Sequence, residues 1–210
     1  MQQLYRRLGT WNKLNHAFLI GQAGAINVTL SPQYLVSCLG GGGCGVGTTD
    51  QAWKFLQSNG IVSEQCYPYT GAKGKCTFTP GHCPSGTGAV TLYKTNLTYL
   101  PGAGAAWASP GIAADILTHG PVTASIQVFS DLQGYKQGVY QHSPAAKLLG
   151  GHAIKLLGWG VEGGVNYWLA ANSWGESWGA LGGYFKIRRG MDECGVEDQV
   201  EAGLPVVLTK

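Results

Sequence analysis

Apolar residues in the first half of the chain recur at helical spacing and are cut off by glycine or proline, whereas after Pro121 they alternate one by one. Leu4, Tyr5 and Leu8 form a short helical stripe ending at Gly9. Ser31-Pro32 reads as an N-cap with proline at the first helical position, opening a helix through Tyr34, Leu35 and Cys38. Thr49 is the expected cap of a second helix carrying Ala52, Trp53, Phe55 and Leu56, which Asn59-Gly60 stops. Ser109-Pro110 repeats the start signal; Ile112, Ala113, Ile116 and Leu117 supply that helix's buried face, and His119-Gly120-Pro121 ends it. Beyond it, Val122, Ala124, Ile126 and Val128 alternate with Thr123, Ser125 and Gln127, the period of a half-buried strand. Residues 151–160, 165–172 and 184–189 are further strands, punctuated by glycine. Helices first and strands afterwards predict an α+β fold of two lobes: a helical lobe over residues 1–108 and an antiparallel, barrel-like lobe over residues 109–210. A cleft between such lobes is the default place for a site.

Composition narrows the class. With 44% hydrophobic and 12% charged residues the chain is globular, and its 34 glycines follow no collagen-like period. A formal charge of +3, with Arg188-Arg189 the longest basic cluster, argues against nucleic acid; no apolar run reaches membrane-spanning length. Cys38, Cys44, Cys66, Cys76 and Cys83 crowd together while Cys194 stands apart. There is no CxxC and only His82 lies among them, so no metal site or cofactor is expected; disulfides in an oxidising compartment fit better. Sequons at Asn27-Val28-Thr29 and Asn96-Leu97-Thr98 agree, yet Met1 leads into Gln2-Gln3-Leu4-Tyr5-Arg6-Arg7 without an apolar signal core.

The chemistry centres on two residues. Gly163-Gly164 is a hairpin turn; His152 lies 11 positions before the first glycine and Asn172 lies 8 after the second. Folding the hairpin brings them within a few residues of each other, and a bulge on the first arm would absorb the mismatch. The asparagine oxygen there can accept one imidazole N–H and fix the tautomer, leaving the other nitrogen as a base or ion-pair member. On spacing alone, a histidine at the start of a strand is also well explained as a structural residue. Trp174, just beyond the asparagine, can shield that hydrogen bond from water; equally, Trp174 and Trp178 can be core residues.

Gly151-His152-Ala153, Asn172-Ser173-Trp174-Gly175, Trp178-Gly179, Tyr167-Trp168 and Gly183-Tyr184-Phe185 together resemble the papain family of cysteine peptidases. Residues 135–142 and Asp192-Glu193-Cys194-Gly195-Val196-Glu197 resemble cathepsin B and cathepsin C in particular, and the likeness runs from Leu30-Ser31-Pro32-Gln33 to Gly203-Leu204-Pro205. The resemblance implies a papain-like two-lobe fold and peptide-bond hydrolysis through a cysteine acyl-enzyme. His152 would be general base and acid, Asn172 its orienter and Trp174 the shield. It implies peptide or protein substrates, no nucleic acid or membrane partner, no cofactor, and a lysosomal, vacuolar or secreted location.

One expected segment is not found. In the family the nucleophile lies in a stretch resembling Gln-x-x-x-Cys-Gly-Ser-Cys-Trp-Ala-Phe, which also carries an oxyanion-hole glutamine. Placing Asn15-His16-Ala17-Phe18 on it matches only Ala17-Phe18. Laying residues 1–9 on the later half of that helix fits better, making Met1 an internal methionine and residues 11–25 a loop. The expectation is a cysteine peptidase lacking its nucleophilic segment and inactive as it stands, the thiol coming from an upstream segment or a separate chain. The alternatives are a non-catalytic relative that binds peptide, a cysteine-framework module of other ancestry, and a substitute nucleophile at Cys44. By resemblance to cathepsin C, Cys38 pairs with Cys76 and Cys66 with Cys83, leaving Cys44 over; by resemblance to cathepsin B, Cys194 is a free thiol. The resemblance also assigns substrate contacts to Gly47 and Val46, where Gly45-Val46-Gly47 replaces the family's Asn-Gly-Gly, and a pocket to Ala153 and Gln199. A neutral glutamine there weakens any preference for arginine.

Overall fold

The computed structural model of the chain describes residues 28–209 apart from 41–46, 73, 88–89, 102–107 and 180. The helical stripe at Leu4, Tyr5 and Leu8, the segment Asn15-His16-Ala17-Phe18, Asn27, Cys44 and Val46 all lie outside the described residues. The chain divides into two units, Met1–Thr98 with Gly203–Lys210, and Tyr99–Ala202.

In the first unit, helix α1 (Pro32–Cys38) begins as its sequence dictates: Ser31 caps it by accepting from the Tyr34 amide at 2.9 Å, with proline in the first turn. The Ser31 hydroxyl donates to the Tyr67 carbonyl at 2.5 Å, tying the cap to a distant loop. Helix α2 (Thr49–Ser58) is capped by Thr48, not by Thr49. The reason is reciprocal bonding: the Thr48 hydroxyl accepts from the Gln51 amide while the Gln51 side chain accepts from the Thr48 amide, a capping box that Thr49 cannot complete. Asn59 and Gly60, the latter at φ 76°, end the helix as its sequence predicts. Leu30, Tyr34, Leu35, Trp53, Leu56, Ile61, Val62 and Tyr67 form the core of this unit. Disulfides Cys38–Cys76 and Cys66–Cys83 close loops of 38 and 17 residues over it. Loops of that length gain roughly 3–4 kcal/mol each from restricting the unfolded chain. Strand β1 (Thr91–Tyr99), not among the strands expected from periodicity, bridges Ile61 through Tyr93.

The second unit opens with helix α3 (Ala108–His119). It starts one residue before the expected cap, so Ser109 lies in the first turn and its hydroxyl accepts from Arg189 at 3.2 Å. Ile112 and Ile116 are buried, but Leu117 is 78% exposed and does not belong to the buried face. It sits five residues past Ile112, far round the helix from the Ile112–Ile116 stripe. Strands β2 (Val122–Phe129), β3 (Val139–Tyr140), β4 (Leu148–Glu162), β5 (Val165–Ala171), β6 (Tyr184–Arg188) and β7 (Val200–Thr209) follow, with 3-10 turns η1 (Ser130–Gly134) and η2 (Glu193–Gly195). The sheet order is β7-β2-β4-β5-β6-β3. β7 leaves this unit after Ala202, and its remaining residues lie beside β1 in the first unit. Val122, Ala124, Ile126 and Val128 of β2 are all buried, as their alternation requires. Every strand pair with a defined register in this unit is antiparallel except β3–β6, which is parallel. The fold is α+β, and among the described residues no helix is long and apolar enough to cross a membrane.

Candidate active site

The hairpin of β4 and β5 turns at Gly163 and Gly164, whose φ values of 56° and 80° suit a tight two-residue connection. Its register shifts once, between Leu156 and Gly158. That extra residue on the first arm is the bulge the spacing calls for, and it draws the start of β4 toward the residues beyond β5. His152 and Asn172 meet there: Nε2 of His152 is 2.9 Å from Oδ1 of Asn172. The Ser173 amide also donates to this Oδ1, at 2.7 Å. An atom that accepts from a backbone N–H is the amide oxygen, so Nε2 must carry the hydrogen. The neutral imidazole therefore has its lone pair on Nδ1.

Trp174 lies against His152 with ring centroids 5.3 Å apart and planes 28° from parallel. Trp178 meets Trp174 edge-on at 5.0 Å and is itself held edge-on by Phe185 at 5.4 Å, while its indole N–H donates to the Gln133 carbonyl at 3.2 Å. Trp178 is a core residue against which Trp174 packs, and Trp174 is only partly buried. Gly179 must stay glycine: its φ is 76°, and a Cβ there would lie 2.8 Å from the Tyr184 carbonyl oxygen. Residue identity leaves the role of Trp178 open and does not reveal the Ser173 amide, because a backbone donor leaves no trace in it.

Burial lowers the pKa of His152, and the Asn172 hydrogen bond, which favours the charged ring, opposes it less strongly. A histidine depressed in the folded state contributes stability above its unfolded pKa of about 6.5 and loses it as pH falls through the lower folded value. The melting temperature should therefore decline more on acidification below about pH 6.5 in this chain than in its His152→Gln variant. Parallel declines in the two proteins would contradict the assignment.

The remaining predicted positions are spread over both units. In the second, β2 pairs Ser125 with Ala153, and the Ser125 amide donates to the Gln199 carbonyl at 2.9 Å, so Ala153 and Gln199 flank the same residue of β2. In the first, Gly47 precedes the Thr48 cap and is exposed; Val46 lies outside the described residues. Four described cysteines are consumed by the two bridges, and Cys194 is the remaining one. It is buried, and burial together with the Glu193 carboxylate pushes its thiol well above the ordinary range. No described cysteine is thus available as a nucleophile.

A family profile described as papain family cysteine protease matches residues 7–204. A gut-specific cysteine proteinase of Caenorhabditis elegans is 41% identical over 86% of this chain and 59% of its own length. Cathepsin B-like CP3 of Giardia intestinalis is 40% identical over 84% and 58%, and cathepsin B-like protease 1 of Arabidopsis thaliana 39% identical over 86% and 50%. The chain thus spans between half and three-fifths of these relatives. Among solved structures, procathepsin B S9 from Trypanosoma congolense superposes with a TM-score of 0.82 at 30% identity, over 96% of this chain and 69% of that one.

Proposed function

This chain belongs to the papain family of cysteine proteases, and from that premise we propose that it carries the base half of a peptidase site. His152 is the general base and acid, Asn172 holds its tautomer, and Trp174 keeps water from that hydrogen bond. The observation that carries this reading is the Nε2–Oδ1 contact of 2.9 Å, its polarity set by the Ser173 amide. Nδ1 takes the proton from a cysteine thiol; the thiolate adds to the peptide carbonyl carbon and the imidazolium returns the proton to the leaving amine. Water, activated by Nδ1, then releases the acyl group. We assign substrate-backbone contacts to Gly47 and Val46, and the pocket for the second residue before the scissile bond to Ala153 and Gln199.

The nucleophile is the finer part of the proposal. Four described cysteines are bridged, Cys194 is buried with its thiol pKa raised, and Cys44 lies outside the described residues with no family motif around it. We assign the thiol to a preceding segment or a separate chain, with Cys44 as the alternative. The 210-residue chain alone then turns over no peptide and takes up no epoxide-type thiol trap. Supplying a segment with the family's Cys-Gly-Ser-Cys-Trp element restores both. Hydrolysis by the purified chain alone that His152→Ala abolishes would refute the assignment of the thiol. Absence of turnover after the segment is supplied, with peptide still bound, would favour the non-catalytic alternative. The two disulfides support an oxidising compartment, lysosomal, vacuolar or secreted.

A further inference from the structure

A second cluster of reactive side chains lies in the same unit as His152 but takes no part in the chemistry assigned to it. His142, just past β3, and Glu193 and Cys194, in η2, bring three different ligand atoms within 4.8 Å of one another. Nδ1 of His142 is 2.6 Å from Oε1 of Glu193, Sγ of Cys194 is 3.2 Å from the same oxygen, and Sγ and Nδ1 are 4.0 Å apart. The His142 amide also donates to that oxygen, at 3.1 Å. Three donors therefore converge on one carboxylate oxygen, which has only two lone pairs in its plane.

We propose that His142, Glu193 and Cys194 form a binding site for a zinc-class divalent cation. Thiolate, imidazole and carboxylate together are a donor set for that class, and they exclude magnesium and calcium, which take oxygen alone. Zinc holds sulfur at about 2.3 Å and nitrogen or oxygen at about 2.0–2.2 Å. One centre can therefore reach both Sγ and Nδ1, and a sub-ångström slide of the Glu193 carboxylate completes three ligands. On binding, the metal replaces the thiol proton, which leaves to solvent, and Nδ1 gives up its hydrogen or takes the other tautomer.

The surroundings suit a cation. The charges of Asp131 and Asp192 act on Cys194 together with that of Glu193. Asp131 is pinned by the Tyr140 hydroxyl at 2.6 Å and the Ser143 amide at 2.7 Å, and Arg188, the nearby cation of β6, donates to Gln141. The ligands are also pre-positioned. Phe129 stacks on the His142 ring at 4.1 Å and 13°, and Cys194 holds a left-handed backbone at φ 57°, unusual for a side chain with a Cβ. His142 keeps 37% of its side chain exposed, giving an entry path and room for a water at the fourth position, while Glu193 is partly buried and Cys194 buried. The effect is a clip between elements 52 residues apart in sequence.

The test uses the full chain, stripped with a chelator and titrated with Zn²⁺ alone and with Co²⁺ alone. One equivalent should bind, the cobalt form should show a thiolate-to-metal charge-transfer band, and zinc should raise the melting temperature by several degrees. Cys194→Ser should remove the band, and His142→Ala, an exposed position that leaves the core intact, should weaken zinc at least about tenfold. Circular dichroism of both variants separates loss of a ligand from loss of the fold; if Cys194→Ser unfolds, His142→Ala and Glu193→Gln decide. Absence of the band in the unaltered chain, or zinc affinity unchanged in either folded variant, overturns the proposal. Neither readout involves peptide hydrolysis, so its failure is distinct from failure of the peptidase reading.

Discussion

His152→Ala, made in a preparation that hydrolyses peptide because the thiol has been supplied, should lower kcat/KM by at least about 10³-fold. The loss should fall on kcat and leave KM nearly unchanged, since the imidazole moves protons and contributes little to ground-state binding. The magnitude follows from its double duty: without it the thiol is not ionised and the leaving amine is not protonated. Asn172→Ala should cost less, on the order of 10–10². The Nε2–H would then lose the Asn172 oxygen as acceptor, and the ring would sample the wrong tautomer without losing its basicity. Steady-state kinetics with a fluorogenic peptide, run across pH, measure both. A His152→Ala rate within tenfold of the unaltered protein, or an Asn172→Ala defect larger than that of His152→Ala, would sink the role assignment.

The largest expected loss of stability is at Trp168 of β5, the strand between β4 and β6; its indole is completely buried. Trp168→Ala should cost about 3–5 kcal/mol from the cavity and lost packing. The same substitution removes a donor. Trp168 Nε1–H bonds Oε1 of Glu197 at 2.8 Å, and that carboxylate also accepts from the amides of Gly190 and Asp192. Glu197 thereby ties the loop after β6 to the core. A natural domain has only about 5–15 kcal/mol in all, so the variant should be unfolded or nearly so at physiological temperature. Trp168→Phe keeps most of the volume and loses only the hydrogen bond, and should fall well short of that loss. Denaturant titration compares them; equal midpoints for the alanine variant and the unaltered chain would refute the packing account.

Much of the fold was legible because its signals are local. The Ser31-Pro32 cap, the Asn59-Gly60 stop, the alternation of β2 and the Gly163-Gly164 turn each depend on neighbours within a few residues, and the structure keeps all four. The second cap was misplaced by one position because Thr48 and Thr49 are chemically identical, and only the reach of Gln51 chooses between them. Leu117 was misread because apolar character marks a face only when a partner covers it. Gly203 and Pro205 interrupt the pattern of β7 and Leu92 breaks that of β1, so each gains its identity from the strands it pairs with. The disulfide pairing came with the family resemblance; six cysteines allow too many connectivities for spacing to choose.

The chain's own order of residues determined that a histidine and an asparagine sit at the mouth of one hairpin with an indole beyond, because a tight glycine turn and a fixed strand period leave few registers. Tertiary structure alone decided the rest. The bulge at Leu157 brings the two side chains to 2.9 Å, the Ser173 amide sets which imidazole nitrogen keeps its lone pair, and folding carries His142 to Cys194 across 52 residues. Periodicity reports what a side chain does relative to its own backbone; contacts between distant segments, and the protons they position, arise only when those segments pack.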